Sequence, residues 1–190
     1  MTVVAAIPLP DGVIMAADSR VVRNDSVICD TAKIIVKDVD DDHVLIATSG
    51  VHSLLGLARH ALNLPQLPDP NDAEDCDRWA HAVACALAEL AVDAKPPLVD
   101  DGRVDGEALL AFDRHLWLLN GPAAIRLYSA FAIGSGAPEA RGALHALGRF
   151  GHQQPQMDVV AAVKAAIDLD PNCGGAVMVA HTLTTTDQDQ

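Results

Sequence analysis

Thr2 follows directly on Met1, so removal of one residue would leave a hydroxyl and a free α-amine on the same residue. A hydroxyl is a weak nucleophile and needs an adjacent base; an N-terminal threonine carries one in its own amine, which titrates near ~7.7–8.0. Such a pair could attack an amide carbonyl and hold the acyl group as an ester. Other candidates for chemistry stand where apolar runs begin or stop. Asp18 and Arg20 close the run 13–17, at a core edge where charges need partners, and Lys33 opens another. Further on lie Gly134-Ser135-Gly136 and Asp170-Pro171-Asn172-Cys173-Gly174-Gly175. Each also has a structural reading: Asp18 and Lys33 as a strand-end ion pair, Gly134 and Gly136 as turn residues, Ser135 as a helix cap, and Gly174-Gly175 as a bend.

Positioning these groups requires strands at the start. Residues 3–7 and 13–17 are β-prone apolar runs separated by the turn signal Pro10-Asp11-Gly12, which predicts a buried hairpin. Residues 33–37 and 43–47 are predicted strands joined through an acidic, solvated turn at 38–42. Helical spacing of leucine and alanine covers 51–64 before Pro65, and Asp72, Glu74 and Asp75 suit the start of a second helix carrying Trp79, Val83, Leu87 and Leu90, ended at Lys95-Pro96-Pro97. Asp69-Pro70-Asn71 reads as helix capping rather than a calcium loop, because Ala73 stands at the third ligand position. Strands are predicted over 108–112, 115–119 and 123–132, helices over 137–147 and 157–169, and a last strand over 175–181. Strands, two helices, strands, two helices and a strand predict two sheets packed between helical layers.

Thr2, the stretch Asp11-Gly12-Val13-Ile14-Met15-Ala16-Ala17-Asp18-Ser19-Arg20, Lys33-Ile34, Thr48-Ser49-Gly50, Ala132-Ile133-Gly134-Ser135-Gly136 and the segment 170–175, in that order, resemble the catalytic β subunits of the proteasome. They equally resemble the bacterial relatives that work with an unfoldase ATPase, and the similarity spans about residues 2–182. The resemblance implies a threonine endopeptidase with the N-terminal nucleophile hydrolase fold: α+β, a four-layer αββα sandwich over 1–183, followed by a polar, flexible tail at 184–190. It places Lys33 beside Thr2, where its charge disfavours protonation of the α-amine; Asp18 holds Lys33, Arg20 braces the network, and the Gly50 N–H serves the oxyanion. Ser135, Asp170 and Cys173 match a supporting serine, aspartate and second serine. Cys173 is a departure, since a thiol donates a weaker hydrogen bond than a hydroxyl. The segment 24–30 is about one residue shorter than the family pattern before the lysine. Val21 and Thr48 match walls of a substrate pocket. The family also implies homo-oligomeric stacked rings, unfolded polypeptide substrates, an ATP-driven unfoldase as partner and no cofactor, and the absence of a propeptide resembles the bacterial ATPase-dependent type. Two further readings share the fold: a non-catalytic ring or scaffold subunit, and an amidase acting on a small molecule.

Composition fits one compact domain. The chain has 190 residues, half of them hydrophobic, and only 3% aromatic, so its core must be built from Ala, Val, Leu and Ile. A formal charge of −13 repels nucleic-acid phosphates and anionic membrane surfaces. No signal-peptide pattern and no apolar run long enough to span a bilayer occur, which predicts a cytoplasmic protein without a membrane contact. Cys29, Cys76, Cys85 and Cys173 lack CxxC spacing and no histidine pattern accompanies them, so reduced thiols and no metal are expected.

Overall fold

The computed structural model describes residues 2–23, 26–39, 42–100 and 103–182. Its elements, in chain order, are β1 (Val3–Leu9), β2 (Gly12–Asp18), β3 (Arg20–Arg23), β4 (Ser26–Asp30), β5 (Ile34–Val39), β6 (Asp42–Gly50), α1 (His52–His60), α2 (Ala73–Asp93), β7 (Val99–Asp100), β8 (Arg103–Val104), β9 (Gly106–Phe112), β10 (His115–Asn120), β11 (Ala123–Leu127), β12 (Phe131–Gly134), α3 (Ala137–Leu147), α4 (Pro155–Leu169) and β13 (Val177–His181). A four-stranded sheet runs β12-β1-β2-β13 and a five-stranded sheet runs β11-β10-β9-β6-β5, with antiparallel neighbours throughout.

Strand alternation builds the layers. Along β1, Val4 and Ala6 face the other sheet, where they meet Leu45 and Ala47 of β6 and Leu109 and Ala111 of β9. Val3, Ala5 and Ile7 point the other way, onto Ala140 and Leu144 of α3 and Val159, Ala162 and Val163 of α4. On the far side Val44, Ile46, Leu110 and Trp117 pack under Leu54 of α1 and Trp79, Val83 and Leu87 of α2. Three apolar interfaces thus separate four layers, helices outside and sheets inside, which is the αββα sandwich expected from the sequence. Small side chains suit this job, because alanines in β1, β2 and β6 let the two sheets approach closely.

The structure corrects several expectations. The predicted strand over 123–132 is two: β11 edges the five-stranded sheet and β12 the four-stranded one, and the chain crosses between sheets through the exposed Tyr128 and the polar Ser129. The helix predicted over 51–64 stops at His60, because the N–H groups of Ala61 and Leu62 both donate to the Leu57 carbonyl and turn Leu62 into the core. The last strand starts at Val177 rather than 175, because the 170–176 segment is drawn off the sheet by the contacts described below. The β3–β4 hairpin was not expected at all; β4 is exposed along its whole length and has no burial alternation to signal it. α2 starts at the acidic cluster as expected, but its cap is Asp72 and not 69–71: Asp72 Oδ1 accepts from the Glu74 and Asp75 N–H groups at 3.1 and 3.0 Å, while Asp69 Oδ1 accepts from Asn71. The centre of the acidic turn, Asp40 and Asp41, and the tail at 184–190 lie outside the described residues, as do Met1 and residues 24–25 of the shortened segment. Among the described residues no helix is long and apolar enough to cross a membrane.

Candidate active site

Thr2 immediately precedes β1, and β1 is paired on both edges, so the first residue of the sheet is held from two sides. Gly134, directly opposite Val3, has φ +97°, and a Cβ there would lie 2.1 Å from the Thr2 carbonyl oxygen. Only glycine lets β12 come this close to Thr2. The Gly136 N–H donates to the same carbonyl at 3.3 Å.

Asp18, the last residue of β2, is fully buried and gathers four donors. Its Oδ1 accepts from Thr2 Oγ1 at 3.3 Å, the Val3 N–H at 3.0 Å and Lys33 Nζ at 2.6 Å, and its Oδ2 accepts from the Gly174 N–H at 3.0 Å. A carboxylate saturated in this way tolerates burial. Lys33, one residue ahead of β5, is 4% exposed. Burial lowers its proton affinity below that of an ordinary lysine, while the charge and hydrogen bond of Asp18 pull the other way and moderate the fall. Thr2 Oγ1 and the Lys33 ammonium therefore share one acceptor atom at the edge of the core.

A second relay approaches the Thr2 nitrogen, which donates to Ser135 Oγ at 3.3 Å. The Ser135 hydroxyl donates back to the Thr2 carbonyl at 3.4 Å, and Cys173, 3.9 Å from its oxygen, connects it to Asp170, the residue that closes α4. Burial works against the Asp170 carboxylate, but hydrogen bonds from the Asn172 N–H, the Cys173 thiol and the Asn172 side chain outweigh it and hold its pKa below the usual value. Ser135 is not a helix cap: α3 is preceded by Gly136, with no side-chain cap.

Cys173 is buried, donates to Asp170 Oδ2 at 3.3 Å and lies 3.9 Å from Ser135 Oγ. Burial, reinforced by the negative charge of Asp18, pushes its thiol up to about 12. It is thus a neutral donor at physiological pH and not a thiolate. Cys173→Ser is expected to change turnover by no more than about 3-fold, since a hydroxyl can donate to Asp170 in the same way. Iodoacetamide at neutral pH is expected to label the exposed Cys29 and spare Cys173 and Cys76, as peptide mass spectrometry would show; rapid loss of activity with label on Cys173 would contradict this assignment.

Arg20 does not touch the Asp18–Lys33 pair. Its guanidinium donates to the Cys173 carbonyl at 3.1 Å, while the backbone N–H groups of Ser19 and Arg20 both donate to the Gly174 carbonyl. Arg20 thereby braces the segment that delivers the Gly174 N–H to Asp18. Beside Thr2 and Lys33 opens a small cleft, about 60 Å³, with Val21, Val22 and Leu55 as apolar walls, completed by Thr48, Ser49, Gly50, Val51 and His52. Thr2, Asp18, Lys33, Ser135, Asp170 and Cys173 are joined by direct contacts, and Val21, Thr48 and Gly50 by the cleft. Sequence reasoning missed Val22, Ser49, Val51, His52 and Leu55, though Val22 adjoins Val21 and the others lie within five residues of Gly50. A larger groove, about 620 Å³, lies between α2 and the β10–β11 turn and contains none of these groups.

No family model matches the sequence, and no curated protein sequence matches it. The fold, in contrast, recurs among solved structures. BPH from Thiobacillus denitrificans in complex with epoxomicin superposes with a TM-score of 0.76 at 19% identity, over 96% of this chain and 99% of that one. Eukaryotic HslV from Trypanosoma brucei gives 0.68 at 16% identity, over 94% and 98%. Anbu, the ancestral beta-subunit, from Yersinia bercovieri gives 0.73 at 14% identity, over 98% and 85%. At these identities the likeness is one of fold: this chain has the four-layer αββα sandwich of those proteins.

Proposed function

We propose that this chain is a threonine endopeptidase subunit of a proteasome-like ring, with Thr2 as nucleophile once Met1 has been hydrolysed off. The observation that carries the proposal is the convergence of Thr2 Oγ1 and Lys33 Nζ on one oxygen of a fully buried Asp18, with the Thr2 nitrogen held separately by Ser135. In the cycle, the Thr2 amine takes the Oγ proton as Oγ attacks a peptide carbonyl in the cleft. The Gly50 N–H stabilises the resulting oxyanion. The C–N bond then breaks, the protonated amine gives its proton to the leaving nitrogen, and an ester remains on Thr2. Water, deprotonated by the same amine, attacks the ester and releases the new carboxyl terminus. Lys33 keeps the amine unprotonated near neutral pH through its charge, and Asp18 keeps Lys33 in place.

Supported by fold alone, homo-oligomeric stacked rings in the cytoplasm, fed with unfolded polypeptide by an ATP-driven unfoldase, complete the reading. The test is direct. Native protein is expected to have lost Met1 by intact-mass measurement, to hydrolyse unfolded casein, and to be inhibited by epoxomicin, the compound bound to the BPH neighbour. A native assembly that retains Met1 and hydrolyses nothing would instead identify a scaffold subunit; cleavage of small amides without peptides would identify an amidase.

A further inference from the structure

We propose that Asp30 is a positioning residue of the Thr2 centre, latched through Ser19 so that one carboxylate fixes both the catalytic 173–176 segment and the hairpin that walls the cleft. The proposal rests on the peptidase reading above. Ser19, buried between Asp18 and Arg20, donates to Asp30 Oδ1 at 2.7 Å, and its hydroxyl oxygen accepts from the Ala176 N–H at 2.9 Å. Its carbonyl accepts from the Thr31 N–H at 2.8 Å. Ser19 therefore ties the residue after β4 and the segment before β13 to the end of β2, and Asp30 is the acceptor that orients its single proton.

Space at the latch is set by glycine. Gly175 has φ +77°, and a Cβ on it would lie 2.2 Å from Ser19 Oγ and 2.3 Å from Asp30 Oδ1. The pair fills the volume that a side chain at 175 would need. One residue earlier, the Gly174 N–H reaches Asp18 Oδ2, so displacement of the segment at 175–176 moves a donor of the Lys33 counter-ion. On the other side of the latch, Asp30 stands opposite Arg20 and Cys29 opposite Val21 in the β3–β4 hairpin, which carries Val21 and Val22 into the cleft. With β4 exposed throughout, the hairpin has little apolar packing of its own, and the hydrogen bonds at its base hold it. The negative charge of Asp30 also favours the Lys33 ammonium. One exposed carboxylate thus touches both the position of the catalytic segment and the shape of the cleft while contacting neither Thr2 nor substrate.

Asp30→Ala is expected to lower kcat/KM for a peptide substrate by about 10-fold, with KM rising as the hairpin loosens and kcat falling as Gly174 shifts. Asp30→Asn, which keeps an acceptor oxygen, is expected to stay within about 3-fold of wild type. Ser19→Ala is expected to match Asp30→Ala, and the double variant to be no worse than either single one, the non-additivity of residues acting as one unit. If Asp30→Ala does not assemble, Asp30→Glu, which moves the acceptor by one methylene, is expected to assemble and show the same loss. Hydrogen exchange over 173–176, read by mass spectrometry, is expected to quicken in Asp30→Ala and not in Asp30→Asn whether or not the protein is a peptidase. Wild-type exchange and kcat/KM in Asp30→Ala, strict additivity with Ser19→Ala, or equal impairment in Asp30→Asn would overturn the latch. Altered exchange in a protein that hydrolyses no peptide would leave the latch standing and remove the peptidase reading.

Discussion

Thr2→Ala is expected to cut hydrolysis of unfolded protein by at least ~10³-fold while leaving the fold and its assembly intact, the order of loss seen when a nucleophile is removed and binding remains. The two effects separate because of how little Thr2 Oγ1 does structurally. It makes one long hydrogen bond, 3.3 Å to Asp18 Oδ1, and that oxygen keeps the Val3 N–H and the Lys33 ammonium when the hydroxyl goes. The Thr2 carbonyl and nitrogen are backbone groups and keep their contacts with Gly136 and Ser135. A stability loss of about 1–2 kcal/mol follows for one buried hydrogen bond whose acceptor stays satisfied together with the buried Thr2 methyl group. Thr2→Ser, which preserves hydroxyl and amine, is expected to retain activity within about 10- to 100-fold. Initial rates on a quenched-fluorescence peptide, alongside thermal unfolding of the same samples, measure both quantities. An alanine variant that still turned over at a tenth of the wild-type rate would move the nucleophile elsewhere.

Sequence legibility followed burial pattern. β1, β2, β6, β9 and the core face of α2 were readable because each buries an apolar run or stripe in the sandwich. Elements that are exposed or cross between layers were not. Nothing in Ser26-Val27-Ile28-Cys29-Asp30 alternates, since every residue of β4 is exposed and its end is held by Ser19. The break between β11 and β12 was invisible for a related reason: both halves are β-prone, and only the sheet to which each belongs distinguishes them. At the site, Asp18 and Lys33 stood out because charges at the limits of apolar runs must find partners, and they found each other. The tertiary roles of Ser19, Gly174 and Gly175 had no such signal. Their function is to let two distant segments interlock, and a glycine pair before a strand reads equally well as a bend. Arg20 shows the same limit, since its charge was legible but its partner, a backbone carbonyl of Cys173, was not.

Replacing the Asp18–Lys33 pair is expected to separate its structural role from its catalytic one. Lys33→Met leaves the Asp18 carboxylate buried without a counter-charge, a change that costs about 3–5 kcal/mol in comparable sites, and Asp18→Asn strands the ammonium in the same way. Both single variants are expected to lose activity and unfold at markedly lower temperature. The double variant Lys33→Met/Asp18→Asn removes both charges together. A neutral pair of similar volume is often as stable as the ion pair it replaces, and the asparagine oxygen remains to accept from Val3, but its amide nitrogen then faces the Gly174 N–H, so only part of the lost stability is expected to return. Activity near neutral pH is not. The single variant Lys33→Met removes the cation beside the Thr2 amine and leaves the Asp18 carboxylate, so the amine binds its proton more tightly, its pKa rises and the unprotonated fraction at pH 7 falls. The acid limb of kcat/KM in Lys33→Met must therefore move to higher pH, and that variant should gain rate between about pH 7 and about pH 9 where the wild type is already level. A wild-type pH profile in Lys33→Met would show that Lys33 only fills and neutralises the space beside Asp18, and that the amine is tuned by something else.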